Sequence, residues 1–143
     1  MYLNTKGCSY VWYYLIMKCL SCGKALKPHQ QKYCSNICQH DSQYKDYIKD
    51  WKKGGNDGNR GVKTKLLSKH IRRYILEKYN SKCSKCNWSK KHPITKVVPL
   101  EIDHIDGDAM NNIESNLQLL CPNCHALTPH FRNLNRGNGR KNR

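Results

Sequence analysis

Five of the ten acidic residues in this 143-residue chain, Glu101, Asp103, Asp106, Asp108 and Glu114, fall within one fourteen-residue stretch, with His104 among them and His125 a little further on. No Lys or Arg occurs between Lys96 and Arg132, although the chain carries 26 Lys+Arg against 10 Asp+Glu and a formal net charge of +16. Carboxylates gathered around imidazoles suit a hard divalent cation: Mg²⁺ or Mn²⁺ takes oxygen ligands with some nitrogen and leaves thiolates to zinc. The competing reading is an acidic loop that only balances local basic charge.

The cysteines supply a second kind of chemistry. Eight of the nine form four short pairs, Cys19/Cys22, Cys34/Cys38, Cys83/Cys86 and Cys121/Cys124, spaced as Cys-x2-Cys or Cys-x3-Cys; Cys8 is left over. Such spacing brings two thiolates onto one turn, half of a tetrahedral Zn²⁺ site, whereas a disulfide framework has no need of it. Pairing along the chain gives two structural zinc sites: Cys19, Cys22, Cys34 and Cys38 as a small ribbon or knuckle, and Cys83, Cys86, Cys121 and Cys124 closing a 34-residue insertion. Gly23 follows the first pair and Asn87 occupies the matching place after Cys86, both residue types that accept a left-handed turn. Replacement of one thiolate by His40, His92 or His125 is the alternative ligand set.

These groups need elements to position them. Tyr44, Ile48 and Trp51 recur at helical spacing between Gln39 and Lys53, which predicts an amphipathic helix leaving the first cysteine site. GGNDGNRG, residues 54–61, breaks the periodicity with four glycines in eight residues and reads as a flexible linker. Leu67, Ile71, Ile75 and Tyr79 mark a second helix, with Lys69, Arg72, Arg73 and Lys78 on its other faces, placed either for solvation or for contact with phosphates. VVPLEI, residues 97–102, predicts a strand that Pro99 confines to an edge or a strand start. Gly107 marks a turn, Leu117 to Leu120 a second short strand, and CPNCHALTPHF the start of a helix with Pro122 in its first turn.

With these residues in order, LEIDHIDGDAMNNIESNLQLLCPNCHALT resembles the core of an HNH endonuclease of the ββα-metal (His-Me finger) superfamily, in its phage and bacterial form with a four-cysteine zinc frame. The Asp-His pair is Asp103 and His104, the middle Asn is Asn116, and the last His is His125. The resemblance is strongest from residue 83 to about 135, and the amino-terminal ribbon is similar to one found in phage HNH proteins. It implies a small α+β, zinc-stabilised fold: a ββα-metal finger preceded by a helix and a zinc-ribbon or knuckle module. It also implies a metal-dependent endonuclease that nicks or cleaves duplex DNA and leaves 5′-phosphate and 3′-hydroxyl ends.

In that chemistry His104 is the general base, since an imidazole can accept water's proton near neutral pH without being permanently charged. Asp103 and His125 hold one catalytic divalent ion, and Asn116 orients His104 through a hydrogen bond or, as in some relatives, ligates the metal itself. Glu101 shares a strand face with Asp103 and is a possible orienting group.

The excess positive charge argues for a polyanionic partner, nucleic acid or an anionic membrane, against an ordinary small-molecule enzyme. Binding two Zn²⁺ through eight thiolates would still leave about +12. The expected organisation is an extension over 1–16, the zinc module and helix over 17–53, a linker over 54–64, the HNH domain over 65–135 and a basic tail over 136–143. In that tail Arg136, Arg140, Lys141 and Arg143, with Arg132 before it, can track phosphates. Val11 to Met17 has neither the flanks nor the cleavage site of a signal peptide, and the chain is expected in the cytoplasm of a bacterial host. Met17 opens the organised sequence and is a candidate initiator. The contrasting function is a non-catalytic two-zinc nucleic-acid-binding module on an HNH scaffold.

Overall fold

The computed structural model describes residues 17–61 and 66–135. The expectations for the extension over 1–16 with Cys8, for residues 62–64 of the linker and for Arg136, Arg140, Lys141 and Arg143 lie outside the described residues. The chain divides into two compact units, Met1–Gln43 and Tyr44–Arg143. The boundary falls within helix α1 (Asn36–Lys52), upstream of the glycine-rich stretch expected to separate domains.

In the first unit, Cys19 and Cys22 sit on a tight turn. The Gly23 amide donates to Cys19 O at 2.9 Å, the Cys19 amide donates to Lys24 O at 2.8 Å, and Gly23 takes φ +74°. Cys34 precedes α1 and Cys38 lies in its first turn, where the Ser35 hydroxyl accepts the Cys38 amide at 3.2 Å and so caps the helix. One cysteine pair therefore comes from a turn and the other from a helix start.

The second unit is built around one apolar core. Tyr44, Ile48 and Trp51 are the buried face of α1, Ile71 and Ile75 that of α2 (Lys69–Lys78), and strand β2 (Leu117–Leu120) buries Leu117 and Leu119 on one face and Leu120 on the other. Cys83, Leu100 and Cys121 complete the core. Each fully buried Leu or Ile contributes roughly 1.5–3 kcal/mol. The α2 start is fixed by Ser68, whose hydroxyl accepts the His70 amide at 3.2 Å. Leu67, expected on the helix, stands before it and pairs with Asn59 in an isolated bridge.

The stretch over 54–61 is not a free linker, because asparagine and aspartate side chains tie it into local turns. The Gly58 amide donates to Asn56 Oδ1 at 3.2 Å, the Asn59 amide to Asp57 Oδ1 at 3.0 Å, and Gly58 O accepts the Ser68 amide at 2.9 Å. Gly58 is buried against Ile71, Asn112 and Trp51.

Strand β1 (Glu101–His104) pairs antiparallel with β2, with Ile102 opposite Leu119, Asp103 opposite Gln118 and His104 opposite Leu117. The expected strand over 97–102 is thus shifted toward the carboxyl end. Pro99 has no amide to give a ladder, and the Leu100 amide turns back to Val98 O at 2.9 Å, so pairing begins only at Glu101. Helix α3 (Pro122–Ala126) follows β2 directly, with Pro122 in its first turn and the Cys121 sulfur accepting the Cys124 amide at 3.5 Å. The result is a small α+β fold with a two-stranded hairpin.

Candidate metal centre and imidazole sites

Both cysteine sets converge as the spacing predicts. In each of the clusters Cys19/Cys22/Cys34/Cys38 and Cys83/Cys86/Cys121/Cys124, the four sulfurs lie within 4.8 Å of one another. The Cys22–Cys34 and Cys34–Cys38 sulfurs are 3.5 Å apart and those of Cys86 and Cys121 3.7 Å apart. Zn–S bonds of about 2.3 Å in a tetrahedron place sulfurs roughly 3.8 Å apart, whereas a disulfide needs about 2.05 Å. The geometry fits four thiolates on one zinc ion, and the eight cysteines are free of disulfides. No histidine joins either cluster: His92 Nδ1 accepts the Ile94 and Thr95 amides, and His125 is engaged elsewhere.

The two knuckles repeat one hydrogen-bond scheme. In the second, the Asn87 amide donates to Cys83 O at 2.9 Å and the Cys83 amide to Trp88 O at 3.0 Å, with Asn87 at φ +58° where the first has Gly23. Burial pushes the Cys19 thiol up, but backbone amides of Cys34, Cys22 and Ser21 outweigh it and hold the group at about 6. Burial likewise opposes ionisation of Cys83, and the amides of Cys121, Cys86 and Lys85 bring it to about 6. Their neighbours go the other way: hydrogen bonding with Cys38 and Cys22 pushes Cys34 up to about 12, and that with Cys86 and Cys121 does the same to Cys124. A divalent cation at the centre of each cluster would let all four sulfurs ionise together.

On the hairpin, side chains alternate between two faces. Glu101 and Asp103 share one face with Gln118, and α3 packs on the hairpin after it, bringing His125 to them. His125 Nδ1 lies 2.7 Å from Glu101 Oε2 and its Nε2 lies 3.5 Å from Asp103 Oδ1. With Glu101 accepting the Nδ1 proton, Nε2 presents a lone pair. Its separation from Asp103 Oδ1 is long for a good hydrogen bond and suits two ligands of one cation. Gln118 Nε2 donates to Asp103 Oδ2 at 2.9 Å, leaving Oδ1 toward His125.

His104 belongs to the opposite face, with Ile102, Leu117 and Leu119. Its Nε2 lies 2.9 Å from Oδ1 of Asn112, which is buried. Asn112 Nδ2 donates to Asp57 O at 3.0 Å and Asn59 Oδ1 at 3.3 Å, and its carbonyl accepts Trp51 Nε1 at 2.9 Å. The two acceptors of Nδ2 fix the amide orientation, so Oδ1 faces the ring and Nε2 must carry the proton. Nδ1 is then the basic nitrogen.

Asn116 does not take the place expected for it beside His104. Its Oδ1 accepts the Asp106 amide at 3.0 Å, and its Nδ2 donates to Asp106 Oδ1 at 2.8 Å and Asn111 O at 2.7 Å. Its amide is spent on the loop between the strands. Nothing in the spelling DGDAMNN marked Asn112 as the ring's partner, because that contact depends on the loop from 54 to 59 folding back.

The acidic island also divides. Burial pushes Asp106 up, but hydrogen bonds from Asn111, Asn116 and the Asp108 amide outweigh it and keep its carboxyl below the ordinary range. Glu114 is engaged by Lys78 Nζ at 2.7 Å, Tyr74 OH at 2.7 Å and Lys52 Nζ at 3.3 Å. Burial opposes its ionisation, yet these donors hold it at about 2. Of the five acids, Glu101 and Asp103 are those placed at His125.

The fold and these groups define a class: a small cysteine-framed α+β domain whose β-hairpin carries a histidine–carboxylate pair on one face and an anchored imidazole on the other. No family profile matches the chain, and no solved structure matches it. Among curated proteins, the chain is 35% identical over 99 residues to the H-N-H endonuclease F-TflIV of Escherichia phage T5, a stretch covering 69% of this chain. The match spans 40% of that relative's length. The chain is thus a homologue of an HNH endonuclease, in agreement with the family resemblance of its sequence.

Proposed function

We propose that this protein is a metal-dependent HNH endonuclease that hydrolyses phosphodiester bonds of double-stranded DNA, with β1, β2 and α3 as its ββα-metal finger. The observation that carries this reading is the approach of His125 Nε2 to Asp103 Oδ1 on a strand whose next residue is the Asn112-anchored His104. Homology to an HNH endonuclease supports it, as does a net charge of +16. Among the described residues no helix is long and apolar enough to cross a membrane. The two thiolate clusters hold zinc structurally.

Asp103 and His125 would hold a divalent cation, Mg²⁺ or Mn²⁺, which when bound offsets charge on the phosphate and on the departing oxygen. His104 Nδ1 takes a proton from water, the oxygen so activated adds to phosphorus, and the bond from phosphorus to the 3′ oxygen breaks; that oxygen leaves protonated by solvent. The scissile phosphate lies across the end of β1, met by the base from one face and by Asp103 from the other. Asn112 acts as the positioning residue for His104, and Asn116 holds the loop that carries Asn112.

Supercoiled plasmid incubated with the zinc-loaded protein and Mg²⁺ or Mn²⁺ tests this. Nicked or linear product is expected, reduced by at least about a hundredfold in His104→Ala and Asp103→Ala. Wild-type protein that binds DNA but never cuts it, or undiminished cutting by His104→Ala, overturns the reading in favour of a binding module.

A further inference from the structure

Some basic residues of the second unit are spent on internal carboxylates. Arg73 Nε pairs with Glu77 at 2.7 Å, and Lys52 and Lys78 converge on Glu114. Among the described residues no carboxylate pairs with Arg60, Lys69 or Arg72, and all three are exposed. These three line one open cleft of about 460 Å³ whose wall also includes His104, Leu67 and Ile102. They come from separate elements: Arg60 from the loop before α2, with its amide bonded to Leu66 O, and Lys69 and Arg72 from the first turn of α2. Ile102 and His104 belong to the β1 face that looks away from Asp103.

Cations held apart from carboxylates in a concave site keep their attraction for an external anion, because no internal partner screens them. Apolar walls between them suit a sugar, and charges drawn from two elements suit successive phosphates along a strand. We propose that this cleft is a phosphodiester-binding groove in which Arg60, Lys69 and Arg72 grip the backbone of one DNA strand and lead it past His104. The inference rests on the nuclease reading for its substrate and adds a direction: the strand reaches the hairpin from the α2 face, the imidazole side, and meets the Asp103–His125 pair at the strand end. It also separates cations that hold substrate from Lys52, Arg73 and Lys78, which hold the fold.

The test measures affinity of the zinc-loaded protein for a short fluorescent duplex by anisotropy, across a salt series with Mg²⁺ and Mn²⁺ omitted so that binding is read without cutting. The triple variant Arg60→Gln/Lys69→Gln/Arg72→Gln should bind at least about tenfold more weakly at low salt. Its slope of log affinity against log salt should flatten by about 2–3, at roughly 0.9 for each phosphate no longer neutralised. Lys85→Gln/Lys90→Gln/Lys91→Gln removes the same charge elsewhere in the unit and should flatten the slope by less than half as much. The single variant Arg72→Gln, with unchanged circular dichroism and zinc content, should show about one third of the triple effect.

Equal slopes for the cleft triple and the wild type, or equal losses of affinity in the two triples, overturn the groove. Cleft-dependent binding by a wild type that cannot cut would retain the groove and remove the nuclease reading. Normal cutting and binding by the cleft triple would do the reverse.

Discussion

At the scale of single residues, each polar contact has one strong competitor, and the competitor decides its role. Asn112 could solvate its amide in an exposed loop; instead it is buried with its Oδ1 on His104 and its Nδ2 on the 57–59 backbone and side chain. Asn112→Leu keeps the branching and the number of heavy atoms and removes the acceptor. We expect kcat for plasmid cleavage to fall about 10–100-fold with KM little changed, and Asn112→Asp, which retains an acceptor for Nε2–H, to keep more activity than Leu. Equal kcat in wild type and Asn112→Leu would show that the contact is only structural. Glu114 illustrates the opposite assignment, a carboxylate that serves the fold. Its folded value of about 2 lies below the ordinary 4.5, so the stability it gives is complete above about pH 4.5 and drains away as pH falls toward 2. The full shift corresponds to about 3 kcal/mol, which its 30% exposure reduces to about 1–2. Urea titrations at pH 6 and pH 3 should show Glu114→Gln losing less on acidification than the wild type; parallel losses would remove the ion network from the account.

At the scale of elements, the two cysteine knuckles are legible in advance because their geometry is local: two thiolates, one turn, and a left-handed residue after the second cysteine. Gly23 and Asn87 meet that requirement by different chemistry. The loop over 54–61 is the contrary case. Four glycines in eight residues describe the conformations a chain can visit, not those that packing retains, and the asparagine and aspartate turns together with the burial of Gly58 convert a nominal spacer into the support for Asn112. Gly58 sits at φ +74°, and a Cβ there would lie 2.6 Å from Ile71 Cδ1 and 2.9 Å from Asn112 Cβ. Gly58→Ala should therefore cost about 2–4 kcal/mol of unfolding free energy in urea and lower cleavage by disturbing Asn112. A variant within about 0.5 kcal/mol of wild type would mean that the loop yields freely.

At the scale of the whole molecule, the apolar core of the second unit is modest, and a thiolate cluster stands at its edge with Cys83 and Cys121 inside the core itself. Free energy of zinc binding there would be folding free energy. EDTA should act in two phases: fast loss of cleavage that added Mg²⁺ reverses, then slower loss of circular dichroism as zinc leaves. Circular dichroism that survives verified zinc removal would contradict the structural role. The sequence by itself determined the features whose physics is local or periodic: the four cysteine pairs, the buried faces Tyr44/Ile48/Trp51 and Ile71/Ile75, the strand Leu117–Leu120, and residue types that resemble an HNH core. Tertiary structure alone decided which acids face His125, that His104 rests on Asn112 and not on Asn116, that the glycine stretch is a support, and that Arg60, Lys69 and Arg72 share a cleft. Spacing along a chain fixes only neighbours within a turn or across a pleat. The contact between positions 57 and 112, and the cleft that positions 60 and 104 both line, arise from how loop, helix and hairpin pack, which no local pattern encodes.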